Sequence, residues 1–547
     1  MADEPLDSTS AWVRARGYSR DNWILLVAII LGVAARIVYW VYTNHAFEDA
    51  LITVTQARNA AEGIGLTPNY AVGHVQGFTS ALSVLVPLVG EMVHRGEGLN
   101  ATRLASIVAF VAASVFAYLL ANRLRISRWA TGFLLTYLAL DYNNIMYGMS
   151  GMETQLAVCA VLAVAYFVLT EDFFAAGIAI GLSILTRPDF LLLAGPAVFA
   201  LWARNHRKGL QSAAIAVAVL APWVIFTTIY YGSPVPHTIL AKEQAYVPPI
   251  GRAPASFWHF VTTQVQQHEV LWRYLAPFVE AFPVVKAPLP GGVLKAIALI
   301  VVAMAWLGAW ATRRVPGWWS ILTYIALFVL YQVFLLPPAY YDWYVPPFAA
   351  LLMVLVGAGL TRVAAPALMG AGLRISLTDQ LMLYGRPILS SCACVVLSLL
   401  FAWQVPTMYP LDREVQQIEN HVRVKVGLYL AGVVKRGQAV GTESAGYIGY
   451  YSHAELYDYP GLTSPIVYST LHRLGPARNS LGHVIAALQP TWAVLRPSEL
   501  STFKEESPGA AAEYHLVKKF QGGPSVFSND GVTYSDGDTE FYVLRHQ

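Results

Sequence analysis

The sequence predicts a polytopic α-helical membrane protein that ends in a small α/β domain. Three observations carry this reading. Of 547 residues, 56% are hydrophobic and only 13% charged, where a soluble chain carries about a quarter charged residues. Apolar stretches near the ~20 residues that cross a bilayer recur along the chain. After about residue 408 the composition changes to that of ordinary soluble protein. The expected division is therefore 1–408, a membrane domain, and 409–547, a soluble domain.

In chain order, the apolar runs fall at 23–43, 104–122, 129–147, 153–170, 210–231, 293–312, 317–336, 344–363 and 388–406, and two shorter ones, 173–187 and 189–203, are divided by Pro188. This makes about eleven membrane segments. The first run is too long, and its polar leader too extended, for a cleaved signal peptide, so a retained helix is expected. Arg14, Arg16 and Arg20 precede it and place the N-terminus in the cytoplasm by the positive-inside rule. The next cluster, Arg123, Arg125 and Arg128, falls on the same side only if residues 79–93, fifteen residues with Pro87 among them, do not cross. That stretch suits a re-entrant or interfacial segment. With this choice Arg204, Arg207 and Lys208, then Arg313 and Arg314, then Arg362, Arg374 and Arg386 all lie inside.

The same parity puts five polar segments outside: 44–103, 147–155, 186–189, 232–292 and 337–347. It also makes the C-terminal domain extracytoplasmic. There, Glu414 to Val434 reads as an amphipathic helix, and "QAVGT", "AELYDY", "TWAVL" and "EFYVL" read as short strands. A net charge of +3 is too small to suggest nucleic acid. Cys159, Cys392 and Cys394 lie in apolar runs and imply no disulfide framework. No phosphate-cradling glycine loop, His-Glu metal helix or Cys/His zinc spacing is present.

The chemistry-bearing residues gather on the outer face. "HAFEDALIT" (45–53) leaves the first helix onto Glu48 and Asp49. Helical neighbours diverge by ~100°, so at most one of the two points at a given reacting atom. Glu153 opens a helix after Ser150 and Gly151, where stabilising the helix N-terminus would account for it. Arg187 and Asp189 flank Pro188; they either cap the helix break as a pair or line a hydrated cavity. His237 and Lys242 lie in "YYGSPVPHTILAK"; the lysine either snorkels to headgroups or holds a phosphate as a point charge. "PAYYDWY", with Tyr341 and Asp342, is either an interfacial aromatic belt or a sugar-binding wall.

Taken in order, these motifs resemble the GT-C membrane glycosyltransferases, and within them the terminal arabinofuranosyltransferases of actinobacterial cell-wall synthesis. The matching runs are "EDALIT", "GIGLTPN" and "QGFTS"; "SGMET" at 150–154; Arg187-Pro188-Asp189; "YYGSPVPHTILAK"; and "GYIGYYSHAELYDYPGLT" at 446–463. Glu48 stands where the family pattern has Asp, Gln76 where it has an acid, His237 where it has Asn, and Ser464 where Asp often follows.

The resemblance implies a polytopic GT-C fold and an inverting transfer of a sugar, arabinofuranose first among the candidates, from a polyprenyl-phosphate donor to a glycan hydroxyl on the outer face. It implies Asp49, or less readily Glu48, as base; Arg187, Lys242 and His237 against the donor phosphate; and Glu153, Asp189, Tyr341, Asp342 and Gln76 against sugar or acceptor. A divalent cation, Mg or Mn, is left open. The rivals are a GT-C enzyme for mannose or an aminoarabinose, and a transporter or flippase for a lipid-linked sugar. The last would place polar residues across the membrane and show paired repeats, and the sequence has neither.

Overall fold

A computed structural model describes residues 8–71, 73–245, 291–334, 342–364, 377–522 and 539–547. The chain enters through α1 (Ser8–Thr43), then runs through α2 (Glu48–Ala61), α3 (Ala81–Val93) and α4 (Gly98–Arg123). α5 (Arg128–Leu140), α6 (Tyr142–Met149), α7 (Thr154–Thr170) and α8 (Phe173–Thr186) follow. A 3-10 turn, Pro188–Phe190, leads into α9 (Leu191–Arg204), α10 (His206–Tyr231) and α11 (His237–Ala245). α12 (Gly291–Thr312), α13 (Trp318–Phe334), the turn Asp342–Tyr344 and α14 (Val345–Ala364) complete the middle of the chain. α15 (Leu377–His421) continues without a break past residue 408.

Among the described residues, five helices are long and apolar enough to cross a bilayer by length and composition, those within Asn22–Thr43, Gly98–Arg123, His206–Tyr231, Asp342–Val363 and Ile388–Val433. Shorter apolar helices pack with them. One continuous apolar core joins them, from Phe110 in α4 through Leu134, Leu162 and Leu351 to Phe401 in α15. Within 79–93 the chain forms the short helix α3, Ala81–Val93, thirteen residues with Pro87 inside.

The run expected as one segment at 129–147 is divided at Asp141. The division leaves carbonyl groups at the end of α5 without helical partners. Arg36 of α1, 1% exposed, donates to the carbonyls of Leu138 and Ala139 and to Gln155 Oε1 at 3.1, 3.2 and 2.8 Å. Asp141 in turn caps α6 by accepting from Asn144 N at 3.0 Å. A buried arginine and a cap make an interrupted helix affordable, because freed backbone groups away from water must find partners.

The C-terminal part follows as α16 (Arg423–Val433), β1 (Ala439–Thr442), α17 (Ala445–Ser452), β2 (Glu455–Asp458), α18 (Pro465–Leu474), α19 (Leu481–Leu488) and β3 (Trp492–Leu495). It ends with α20 (Pro497–Glu506), α21 (Pro508–Ala512), β4 (Tyr514–Gln521) and β5 (Glu540–His546). The sheet order is β2-β1-β3-β5-β4. β1 is parallel to both β2 and β3, and β5 is antiparallel to both of its neighbours. β1 and β3 are buried throughout. β4 was not among the expected strands; most of its side chains are exposed, so it lacks the apolar alternation by which a half-buried strand is recognised.

Candidate active site

The site forms where α2, the ends of α7 and α8, α11 and the loop after β2 meet. Asp49, Glu153, Arg187, Asp189, Lys242, Trp343, Tyr344 and Leu462 line one cavity of about 60 Å³.

α2 begins without a side-chain cap at Phe47 and carries Glu48 and Asp49 in its first turn, where negative charge is favoured by the helix dipole. The backbone N–H of Phe47 donates to the Ser150 carbonyl at 2.9 Å, which fixes the start of α2 against the segment leading into α7. At Gly151, φ is +103°, and an added Cβ would lie 2.9 Å from the Ala50 Cβ and 2.5 Å from Leu99. Only glycine fits this backbone and this close approach.

The two acids part company as the helical angle requires. Glu48 turns to the C-terminal domain: its Oε1 accepts from Gly446 N at 2.7 Å and its Oε2 lies 3.1 Å from Arg423 Nη1. Arg423 is also paired with Glu419. Gly446 packs so tightly that a Cβ there would come 2.0 Å from the Glu48 carbonyl oxygen. Burial raises the Glu48 carboxyl to about 7, against the opposing charge of Arg423. Asp49 faces the cavity; burial raises its carboxyl above the usual range, Lys242 works in the opposite direction, and Glu443 adds to the rise.

Arg187 is 2% exposed and held on three sides. Asp189 takes Nε and Nη2 as a fork at 3.0 and 3.1 Å, the Trp343 carbonyl stands 3.5 Å from Nη1, and the Tyr344 ring lies 3.3 Å below the guanidinium carbon. Burial disfavours its charge, but Asp189, Tyr344 and Glu153 outweigh that and raise its pKa. Both readings of this pair thus hold in one geometry: Asp189 anchors Arg187, and Arg187 lines the cavity with N–H groups to spare. Glu153 makes no cap to α7 and instead accepts from Ser80 at 3.4 Å. Burial raises its carboxyl, with Arg187 opposing. Lys242 is lowered by burial and supported by Asp49 and Glu153.

The remaining expected residues lie elsewhere. His237 stands edge-on to Tyr468 of α18 at 5.3 Å; burial lowers its pKa. Gln76 is 2% exposed and, among the described residues, neither atom of its side-chain amide has a hydrogen-bond partner; its neighbour Gly77 lines the cavity and Gln76 does not. Asp342 belongs to the turn before α14 but not to the lining. Tyr341 lies outside the described residues. Among the described residues no three His, Cys, Asp or Glu side chains gather to hold a metal ion. The cavity carboxylates Asp49 and Glu153 lie in the field of Lys242, and Glu153 also in that of Arg187.

The closeness of this architecture to known structures is decisive for the fold. ArnT from Cupriavidus metallidurans in the apo state aligns over 97% of this chain and 98% of its own, with a TM-score of 0.55 and 14% identity. The chain has a GT-C fold. ArnT bound to undecaprenyl phosphate aligns over 96% and 98%, with a TM-score of 0.53 and 14% identity. Arabinofuranosyltransferase AftD from Mycobacteria aligns over 96% of this chain and 40% of its own, at a TM-score of 0.44 and 14% identity; that similarity is too low to weigh. No curated protein matches the sequence. The family described as "Domain of unknown function (DUF8728)" matches residues 413–543.

Within this GT-C fold, the aromatic run read from the sequence supplies Trp343 and Tyr344 to the cavity, whereas the site residues expected from it were their neighbours Tyr341 and Asp342. The aromatic run was visible, but its phase was not, because a 3-10 turn sets which members face inward. Arg423 and Glu443 gave no signal, since their relation to α2 depends on how the C-terminal domain docks.

Proposed function

We propose that this chain is an inverting glycosyltransferase that moves a sugar, arabinofuranose by its motifs, from a polyprenyl-phosphate donor to a glycan hydroxyl on the outer face of the membrane. The supporting observation is one cavity that gathers Asp49 and Glu153 with two cations, Lys242 and the Asp189-anchored Arg187. The ArnT structure with undecaprenyl phosphate gives the same fold a lipid-phosphate ligand, in keeping with this reading. The basic clusters place the N-terminus in the cytoplasm and the cavity and the C-terminal domain outside.

Asp49 accepts the proton of the acceptor hydroxyl as its oxygen bonds to the anomeric carbon. The bond from that carbon to the phosphate oxygen breaks, and its electron pair leaves with polyprenyl phosphate. Arg187 and Lys242 offset the charge that develops on the departing phosphate. One displacement inverts the anomeric centre. The raised Asp49 carboxyl makes its ionised form a stronger base than an exposed aspartate.

The test is transfer by the purified protein in proteoliposomes, with polyprenyl-phosphate donors carrying labelled arabinofuranose, mannose or aminoarabinose and oligosaccharide acceptors. Asp49→Asn is expected to lose about 10²- to 10⁴-fold in turnover while still binding donor. Full activity in that variant removes Asp49 as base. Absence of transfer from every donor, with movement of the lipid-linked sugar across the bilayer, makes the chain a transporter.

A further inference from the structure

We propose that the acceptor is held in the crevice at the carboxyl edge of the C-terminal sheet, between Glu443 after β1 and Arg496 after β3, as a neutral glycan bound through its hydroxyls. This rests on the transferase reading above and names the site for its second substrate.

The crevice follows from the sheet order. From β1 the chain crosses to β2 on one side, and from β2 it passes over β1 to β3 on the other. Ligands of open parallel sheets bind outside the carboxyl ends of the strands at such a reversal of direction. Glu443 and Ser444 directly follow β1, and Arg496 directly follows β3. Arg496 Nη1 donates to Glu443 Oε2 at 2.7 Å and to Glu499 Oε1 at 2.8 Å, and its Nη2 to Ser444 Oγ at 3.2 Å. The guanidinium therefore bridges the mouth of the crevice in a fixed orientation. The Glu443 side chain is 43% exposed, so its carboxylate can accept hydroxyl donors from solvent.

This edge faces the cavity. Gly446, three residues beyond Glu443, bonds Glu48 at the start of α2. Leu462, on the loop that leaves β2, lines the cavity beside Asp49. The charge of Glu443 reaches Asp49 and also Tyr459, the residue after β2. A glycan in the crevice thus lies within a short span of the base, with Tyr459 available to a C–H face.

The charge balance selects the ligand. One guanidinium stands between two carboxylates, Glu443 and Glu499, so the crevice is net negative and repels a phosphate. The donor is left to Arg187 and Lys242, on the bundle side. A polyhydroxylated neutral chain suits a partly exposed carboxylate that accepts hydroxyl hydrogen bonds.

The experiment measures initial rates of the reconstituted full-length protein with lipid-linked donor fixed and an octyl oligo-arabinofuranoside acceptor varied, for wild type, Glu443→Gln, Glu443→Ala and Glu443→Asp. The expected result is an acceptor KM raised about tenfold or more by Glu443→Gln and Glu443→Ala, partial recovery in Glu443→Asp, and donor KM unchanged. Equal unfolding midpoints show that the exposed side chain was not needed for folding. An unchanged acceptor KM in Glu443→Ala, or a fall in kcat alone, overturns the crevice while the transferase reading stands. No transfer by the wild-type protein overturns that reading, and the crevice with it.

Discussion

Glu48 and Asp49 are adjacent carboxylates in opposite surroundings, and replacing Glu48 by its amide separates their roles. In the folded protein the Glu48 carboxyl is raised from 4.5 to about 7. At 1.36 kcal/mol per unit, the difference of roughly 2.5 units corresponds to about 3 kcal/mol. Because the folded state holds this proton more tightly than the unfolded chain, stability is highest below about pH 4.5, declines as pH rises through the window up to 7, and carries the full cost above it. Burial of the ionised group therefore outweighs the return from Arg423, as buried ion pairs commonly do. Glu48→Gln is neutral at every pH, keeps an oxygen for Gly446 N, and leaves Arg423 its second partner, Glu419. Its unfolding midpoint in detergent is expected to equal or exceed that of wild type at about pH 8, with the two converging at about pH 4. Glu48→Ala also removes the acceptor for the first amides of α17 and is expected to lie below Glu48→Gln at both values, by about 1 kcal/mol per lost cap bond. Turnover of Glu48→Gln is expected to remain near wild type. A midpoint for Glu48→Gln well below wild type at about pH 8 refutes the burial argument, and a loss of turnover as deep as that of Asp49→Asn refutes the division of roles.

The pH dependence of turnover is expected to be bell-shaped. Asp49 must be ionised and its carboxyl is raised above 3.8, so the acid limb lies above that value; Lys242 must be protonated and burial lowers it below 10.5, so the alkaline limb lies below that value. Initial rates over this range check both limbs, and Lys242→Arg should shift the alkaline limb upward. Gly446→Ala forces a methyl group to within 2.0 Å of the Glu48 carbonyl oxygen. Backbone on both sides leaves no room to yield, so a loss of at least 1–3 kcal/mol is expected, read as a lower unfolding midpoint together with lower turnover.

Much of the fold could be read from the sequence because the bilayer imposes length and polarity directly. The apolar runs became helices, Pro87 marked a short helix, and Pro188 marked the turn between α8 and α9. The interruption at Asp141 was hidden because its compensation comes from Arg36, more than a hundred residues earlier, and a distant donor leaves no trace in local periodicity. At the site, motif order singled out Asp49, Glu153, Arg187, Asp189 and Lys242, which line one cavity. The direction of each side chain was another matter. The helical angle says that Glu48 and Asp49 diverge, but only the docking of α17 says that Glu48 turns to Gly446. The pairing of β1 with β3, which brings Glu443 to Arg496, depends on sheet order, and strand sequences alone do not fix that order.

The central claim is that Arg187 and Lys242 receive the donor phosphate while Asp49 faces the anomeric carbon. The most direct measurement is a cryo-electron microscopy map of the Asp49→Asn protein in nanodiscs with intact polyprenyl-phosphate sugar. The phosphate is expected within hydrogen-bond reach of both cations, with the sugar between it and residue 49. A phosphate bound away from Arg187 and Lys242, or a sugar turned from residue 49 towards Glu48, would contradict the account.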